Sequence, residues 1–191
     1  QPRKRFGQNF LQDGAVIADI LAAIHPAPGE KIVEIGPGEG VLTSRILGAV
    51  GRMHAIEIDR DLAAALRERY PEDQLELVVG DALAFDYHDL PADTRVVGNL
   101  PYNISTPLLF RLLDHRDRFP RLILMLQDEV ADRLIAKPGS REYGVLSVLA
   151  QYVSVITKAF KVSANCFRPR PEVGSAVVVV RIKEGRELSL Q

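Results

Sequence analysis

A short apolar run ends in a polar turn at Arg95-Val96-Val97-Gly98-Asn99-Leu100-Pro101-Tyr102. The apolar part predicts a buried strand, and Ser105 or Thr106 is predicted to cap the helix that follows, with Pro107 in its first turn. Open α/β sheets bind ligands beyond the carboxyl ends of their parallel strands. The segment therefore predicts a ligand site at the end of a strand.

Alternating strands and helices are predicted on both sides of this segment. Asp13 is predicted to cap a first helix, and helical patterns then follow short apolar strands. Strands are predicted at 31–35, 53–58, 75–79, 94–98 and 121–126, and helices at 41–47, 61–69, 108–113 and 129–135. The last part is β-rich at 152–160 and 176–182. This order predicts a doubly wound, Rossmann-like α/β fold with a seven-stranded sheet, mostly parallel, with an antiparallel hairpin strand near the C-terminus.

The composition is that of a globular protein with one full core. The chain has 191 residues, of which 47% are hydrophobic and 26% charged, and its net charge is -1. Such a balance does not favour a large phosphate-binding surface. A single cysteine, Cys166, excludes an intramolecular disulfide and fits a reducing compartment. No apolar run is long enough to predict a membrane span.

Glycines and carboxylates follow the first three predicted parallel strands. The first strand runs into Gly36-Pro37-Gly38-Glu39-Gly40, Glu57 ends the second, and Asp81 follows the third. Glycines let a backbone approach a ligand, and a carboxylate about 20 residues later is placed to bind ribose hydroxyls. The G-x-G-x-G spacing favours S-adenosylmethionine over a nicotinamide cofactor. Asp81 is placed either to accept from an adenine amine or to cap a helix, and Asp59 is a candidate cap.

The turn at Asn99 suits alkylation of a planar amine. The lone pair of an exocyclic nucleobase amine is delocalised into the ring, which makes it a poor nucleophile. The side-chain oxygen of Asn99 and the carbonyl of Leu100, held by Pro101, are two acceptors that could hold its N–H groups. Tyr102 offers a flat face that tolerates developing positive charge. The alternative is an ordinary X-Pro-Tyr turn at a strand end.

The combination resembles the class I methyltransferases and, among them, the ribosomal RNA adenine dimethyltransferase family of the small-subunit, kasugamycin-resistance type. The resemblance covers nearly the whole chain. The stretches that carry it are Gln8-Asn9-Phe10-Leu11, 34–40, Glu57, Gly80-Asp81-Ala82, 99–102, 127–131, 137–140 and Phe167-Arg168-Pro169-Arg170-Pro171-Glu172-Val173.

The resemblance implies a function and a set of site residues. It implies an enzyme that transfers methyl groups from S-adenosylmethionine to the exocyclic amine of adenosines in small-subunit ribosomal RNA, leaving S-adenosylhomocysteine. Asn99, Leu100, Pro101, Tyr102 and Phe167 are then the catalytic residues, with Tyr102 and Phe167 stacking on the flipped adenine. No metal is implied in the reaction. The implied cofactor-binding residues are Gln8, Asn9, Leu11, Gly36, Gly38, Glu57, Ile58, Asp81, Ala82 and Asn99.

The same resemblance implies an organisation and partners. Residues 1–191 are expected to form the catalytic domain, with 1–12 as an N-terminal cofactor and RNA segment that includes the basic residues 3–5. The small C-terminal helical domain of the family is expected to be absent from this chain. The partner is expected to be ribosomal RNA in a precursor of the small subunit, and the protein a cytoplasmic monomer without membrane contact. A basic stretch at 111–121 fits either a solvated, salt-bridged face or RNA contact.

Other functions remain open at this point. A related enzyme of the macrolide-resistance type methylates large-subunit RNA, and the sequence separates the two only weakly. A non-catalytic ribosome-assembly or transcription factor on the same fold is a third possibility, and the intact Asn99, Tyr102 and Phe167 argue against it. A nicotinamide oxidoreductase is disfavoured by the glycine spacing.

Overall fold

A computed structural model describes residues 8–184 and contains one large sheet flanked by helices. The strands are β1 Phe10–Leu11, β2 Ile32–Ile35, β3 Met53–Glu57, β4 Leu75–Val79, β5 Arg95–Asn99, β6 Arg121–Gln127, β7 Ser154–Val162, β8 Phe167–Arg168 and β9 Ser175–Ile182. The helices are α1 Gly14–Ile24, α2 Val41–Val50, α3 Arg60–Arg69, α4 Ser105–Asp114, α5 Asp128–Ile135 and α6 Val145–Val153. Short 3₁₀ turns lie at Tyr87–Asp89 and Ala164–Cys166.

The sheet has seven strands in the order β4-β3-β2-β5-β6-β9-β7. The first five are parallel to one another, whereas β9 runs antiparallel to both β6 and β7. The predicted mixed sheet is therefore confirmed. The chain moves outward from β2 through β3 to β4 and then returns to place β5 on the other side of β2. This reversal makes the gap between the ends of β2 and β5 the point where such sheets bind ligands.

Apolar side chains cover both faces of the sheet. All four residues of β2 are buried, which is why its sequence is nearly continuous in apolar residues rather than alternating. One face packs against α4, α5 and α6 and the other against α1, α2 and α3, in two buried clusters. Within the described residues, no helix is long and apolar enough to cross a membrane.

Two local expectations are wrong and one is confirmed. Ile104 occupies the N-cap of α4, and the predicted caps Ser105 and Thr106 are already helical. Ser105 instead donates its hydroxyl to the Tyr102 carbonyl at 3.2 Å. The β-rich stretch begins at Ser154, because residues 152–153 end α6, a helix that the sequence did not predict. The predicted cap Asp13 is confirmed, since its carboxylate accepts from the backbone N–H groups of Ala15 and Val16.

Part of the N-terminal segment forms a strand. In β1, Phe10 pairs with Arg168 and Leu11 pairs with Phe167, both in β8. Gln12 adds a backbone hydrogen bond of 2.8 Å to the Cys166 carbonyl. This pairing brings two distant motifs of the sequence to the same edge of the cleft. Residues 1–7, with the predicted basic group at 3–5, lie outside the described residues.

Candidate cofactor and base site

A cleft with an empty volume of about 1090 Å³, open to solvent, lies at the carboxyl ends of β2, β3 and β5. Every residue predicted for the cofactor or the base contributes to its lining. The structure thus brings together Gln8, Asn9, Leu11, Gly36, Gly38, Glu57, Ile58, Asp81, Ala82, Asn99, Leu100, Pro101, Tyr102 and Phe167.

The glycine-rich loop after β2 is tightly packed at two positions that have left-handed backbone. Gly38 has φ 58°, and a Cβ atom there would lie 3.2 Å from the ring of Phe10. Gly40 begins α2 with φ 79°, and a Cβ atom there would lie 2.7 Å from Leu66. Both positions need left-handed backbone at close quarters, which glycine alone adopts without strain. These two glycines therefore allow the loop to turn and to pack against Phe10 and Leu66.

Glu57 is held in place by the backbone around it. One carboxylate oxygen accepts from the N–H of Gly38 at 3.0 Å and the other from the N–H of Asp59 at 2.9 Å. The side chain is buried, and burial raises the pKa of its carboxyl above the ordinary value, although these two hydrogen bonds oppose the shift. A carboxylate offers about four lone-pair positions. The lone pairs that the backbone N–H groups do not use are available for the hydroxyls of a ribose.

Asp59 caps α3, as the sequence predicted. Its Oδ1 accepts from the backbone N–H groups of Asp61 at 2.9 Å and Leu62 at 3.5 Å. Its Oδ2 accepts from the side-chain amide of Gln8 at 3.0 Å. The cap therefore also ties the N-terminal segment to the end of β3, beside Glu57.

Asp81 caps a turn and faces the cleft at the same time. Its Oδ1 accepts from the N–H of Leu83 at 2.9 Å, so one oxygen serves the local turn rather than an α-helix. Next to it, the carbonyl of Ala82 accepts from the buried hydroxyl of Tyr87 at 2.8 Å. These two hydrogen bonds hold the loop that was predicted to meet the adenine of the cofactor.

The tetrapeptide that begins at Asn99 offers the two predicted acceptors. The side-chain amide nitrogen of Asn99 donates to the Asn9 carbonyl at 3.2 Å, which leaves its oxygen to accept. The N–H of Leu100 donates to Met125 at 3.1 Å, whereas no donor in residues 8–184 reaches the Leu100 carbonyl. The hydroxyl of Tyr102 contacts the Ser175 hydroxyl at 2.6 Å. The acceptors are thus present, and the ring of Tyr102 is anchored to β9.

Comparison with known proteins agrees with this geometry. Residues 1–189 match the sequence profile of the family described as "Ribosomal RNA adenine dimethylase".

The chain belongs to the ribosomal RNA adenine dimethylase family.

Curated relatives in this family are close in sequence. A "Ribosomal RNA small subunit methyltransferase A" of Aromatoleum aromaticum is 52% identical over 176 residues, covering 92% of this chain and 66% of the relative. One of the same name in Chromobacterium violaceum is 46% identical over 186 residues, covering 97% and 71%. The chain spans about two thirds of the length of the curated relatives it matches.

Solved structures of RNA methyltransferases are also similar to this chain. A dimethyladenosine transferase from Plasmodium falciparum has a TM-score of 0.83 and 30% identity, covering 92% of this chain and 64% of that one. The 23S rRNA methyltransferase ErmE has a TM-score of 0.81 and 28% identity, covering 92% and 70%. The predicted family, the methyltransferase class and S-adenosylmethionine as methyl donor are confirmed by this membership.

Phe167 lies in the wall of the cleft, but its side chain is buried. Only 1% of its surface is exposed, and it packs in an apolar cluster with Leu11, its partner across β1 and β8. The sequence predicted that Phe167 and Tyr102 both stack on the target base. Because the ring is buried here, such stacking requires that Phe167 first be uncovered, and its role stays a prediction.

One buried residue of the cleft was missed. Glu34, in the middle of β2, is 3% exposed, and its Oε2 accepts from the hydroxyl of Thr43 at 2.6 Å. Burial raises the pKa of Glu34 to about 7, the bond from Thr43 opposes this, and the charge of Glu57 adds to it. The available signal was a single carboxylate flanked by Val33 and Ile35 in a strand with no other polar residue.

Three arginines of the basic stretch at 111–121 bind backbone carbonyls rather than carboxylates. Arg111 donates to the Phe85 carbonyl at 2.7 Å, Arg118 to Leu90 at 2.9 Å and Arg121 to Ala23 at 3.0 Å. These three guanidinium groups bind backbone carbonyls of neighbouring segments. They therefore hold loops and a helix end in place, and contact of this stretch with RNA stays a prediction.

Proposed function

We propose that this chain is the catalytic part of an enzyme that dimethylates the N6 amine of adenosines in small-subunit ribosomal RNA, with S-adenosylmethionine as methyl donor. The observation that carries the proposal is the pair of acceptors at the end of β5, Asn99 Oδ1 and the Leu100 carbonyl, in the cleft that also holds Glu57. The names of the curated relatives, at 46–52% identity, support small-subunit RNA as the substrate.

The residues on the β2 and β3 side fit the donor molecule. The glycine loop lets the backbone approach, Glu57 has free lone pairs for ribose hydroxyls, and Asp81 has a second oxygen for an adenine amine. When bound, S-adenosylmethionine supplies an electrophilic methyl group on a sulfonium. The side-chain amide of Asn99 donates to the Asn9 carbonyl at 3.2 Å, so these two residues lie close together at the same end of the cleft.

The residues on the β5 side fit the target amine. Two acceptors that bind both N–H groups orient the nitrogen and favour a pyramidal form, in which its lone pair is less delocalised. Pro101 fixes φ and thereby the direction of the Leu100 carbonyl. The ring of Tyr102, anchored through Ser175, provides a face for the base and stabilises the positive charge that develops on it. The alkylated amine is acidic enough to release its proton without a dedicated base.

Nucleoside mass spectrometry of ribosomal RNA tests the proposal. Small-subunit particles that lack the modification are incubated with the protein and labelled S-adenosylmethionine. Labelled N6,N6-dimethyladenosine should appear with the wild type and should be lost with Asn99→Ala. Binding of both ligands without any methylation would contradict the proposal and favour a non-catalytic assembly factor.

Large-subunit RNA is the alternative substrate, and the similarity to the 23S rRNA methyltransferase ErmE favours it. That similarity, at 28% identity, is lower than the 46–52% identity to small-subunit enzymes. Offering both subunit precursors in one reaction separates the two. Label on large-subunit RNA alone would favour the alternative.

We further propose that residues 1–191 are the catalytic domain of a protein that acts as a cytoplasmic monomer on a precursor of the small subunit, and that the family's small helical domain adds the remaining grip on the particle. The relatives' greater length supports this. A chain of the relatives' length should methylate particles faster than the 191-residue chain, while both bind S-adenosylmethionine equally. Equal turnover would contradict a separate docking domain.

A further inference from the structure

Two histidines and an aspartate meet on the surface outside the cleft. Asp86 and His88 belong to the segment around the 3₁₀ turn Tyr87–Asp89, and His115 is the C-cap residue of α4. One ligand atom from each of the three lies within 4.8 Å of the other two. The rings of His88 and His115 have their centroids 5.1 Å apart at an interplanar angle of 64°.

Hydrogen bonds to the three side chains determine which of their nitrogen and oxygen atoms are available to bind a metal ion. Nδ1 of His115 lies 2.9 Å from the Arg111 carbonyl, which can only accept, so this nitrogen carries the proton and Nε2 is left with a lone pair. A histidine whose second nitrogen donates to a backbone carbonyl is the usual form of a metal ligand. Asp86 caps the 3₁₀ turn through Oδ1, which accepts from the N–H of His88 at 3.0 Å. The same Oδ1 lies 2.9 Å from Nδ1 of His88, a contact that a bound metal ion would replace. Oδ2 of Asp86 stays available.

We propose that Asp86, His88 and His115 form a binding site for a divalent zinc-class transition metal ion. Two imidazoles and one carboxylate are a common protein donor set for Zn²⁺, with water in the fourth position. Zinc bonds of about 2.0–2.1 Å require the ligand atoms to approach to roughly 3.3 Å. The side chains of Asp86 and His88 are 66% and 60% exposed, so rotation about side-chain bonds suffices.

The electrostatic surroundings of the cluster contain both favourable and opposing groups. The last carbonyls of α4, beside His115, carry partial negative charge and favour a cation. The opposing charge is Arg111, whose guanidinium lies 5.7 Å from the centroid of the Tyr87 ring. That guanidinium is occupied by its bond to the Phe85 carbonyl at 2.7 Å.

The site is connected to the cleft through Tyr87. This residue lies between Asp86 and His88 in sequence, is fully buried, and donates its hydroxyl to the carbonyl of Ala82, a residue that lines the cleft. A metal ion that joins the 3₁₀ turn to α4 therefore restrains the loop between Ala82 and the turn. The ion is not a participant in the methyl transfer, because it lies outside the cleft.

Calorimetric titration with Zn²⁺ tests the site, with visible absorption of Co²⁺ as the spectroscopic readout. The test variants are His88→Asn, His115→Asn and Asp86→Asn. Asparagine at 115 keeps a donor for the Arg111 carbonyl, and asparagine at 86 keeps an acceptor for the turn, so the fold is retained. The controls are His25→Asn and Cys166→Ser, since Cys166 is the single thiol and His25 is exposed elsewhere.

The wild type and both controls should bind one ion with equal affinity and give the Co²⁺ spectrum of a nitrogen- and oxygen-ligated site. Each test variant should bind at least about tenfold more weakly and lose that spectrum. Hydrogen exchange of the amides at 83–90 should slow on addition of Zn²⁺ to the wild type. Absence of stoichiometric binding by the wild type, unchanged binding by His115→Asn, or unchanged exchange at 83–90 would each overturn the proposal.

Discussion

Replacing Glu34 by glutamine should change how the stability of the protein depends on pH. Burial raises the pKa of Glu34 from its ordinary value of 4.5 to about 7. The folded protein therefore binds a proton more tightly at this position than the unfolded chain does. The free energy of unfolding should fall as the pH rises from about 4.5 through about 7, and then level off. Glutamine cannot ionise, so Glu34→Gln should remove this decline.

The size of the effect follows from the shift. One pKa unit corresponds to about 1.4 kcal/mol, so the full shift is worth about 3 kcal/mol. Part of this stabilisation is already lost at pH 5. The free energy of unfolding of the wild type should therefore fall by about 2–3 kcal/mol between pH 5 and pH 8 because of Glu34. The free energy of unfolding of Glu34→Gln, relative to that of the wild type, should therefore increase by about 2–3 kcal/mol from pH 5 to pH 8. For a domain of this size, this corresponds to roughly 4–12 °C in melting temperature.

Urea unfolding followed by circular dichroism at pH 5 and pH 8 measures the difference. Glutamine keeps an oxygen to accept from Thr43, so the variant should fold. Glu39→Gln is the matched control, because Glu39 is an exposed glutamate in the adjacent loop. It should show the pH dependence of the wild type. If Glu34→Gln and the wild type had parallel stability profiles from pH 5 to pH 8, Glu34 would be ionised in the folded protein and the reasoning would fail.

Three further predictions concern the cleft. Asn99→Ala should abolish most single-turnover methylation while leaving RNA affinity nearly intact, and near wild-type methylation would remove the tetrapeptide from the mechanism. Glu57→Ala should weaken S-adenosylmethionine binding by roughly 1.5–3 kcal/mol in calorimetry, because charge-assisted hydrogen bonds are lost; unchanged affinity would rule out the ribose contact. Tyr102→Phe should destabilise the fold by about 1–3 kcal/mol in urea unfolding, since the hydroxyl of buried Ser175 loses its partner. Adding Ser175→Ala should recover most of this loss, and a double variant as unstable as the sum of the single ones would contradict the pairing.

Local patterns in the sequence were enough to predict most of the sheet. The predicted strand at 75–79 coincides with β4, and the other parallel strands agree within one residue at each end. Apolar runs and capping residues such as Asp13 and Asp59 act over a few residues, so they can be read directly from the chain. The cleft was predictable for a related reason, because the carboxyl ends of parallel strands meet at one edge of the sheet.

The tertiary structure alone decided which distant groups touch. The pairing of β1 with β8 covers Phe167, and the hydroxyl of Tyr102 reaches Ser175 across 73 positions of sequence. The missed helix α6 has no capping side chain at Gly144 and leads directly into β7, so its start and end carry little local signal.

Two further features also depend on the tertiary structure: the surface cluster of Asp86, His88 and His115, and the raised pKa of Glu34. The cluster needs the 3₁₀ turn to lie beside the end of α4, and the pKa shift depends on complete burial between neighbouring strands. Sequence spacing specifies which side a residue takes on its own helix or strand. The distance between two such elements, and the water excluded between them, follow only from how the whole chain packs.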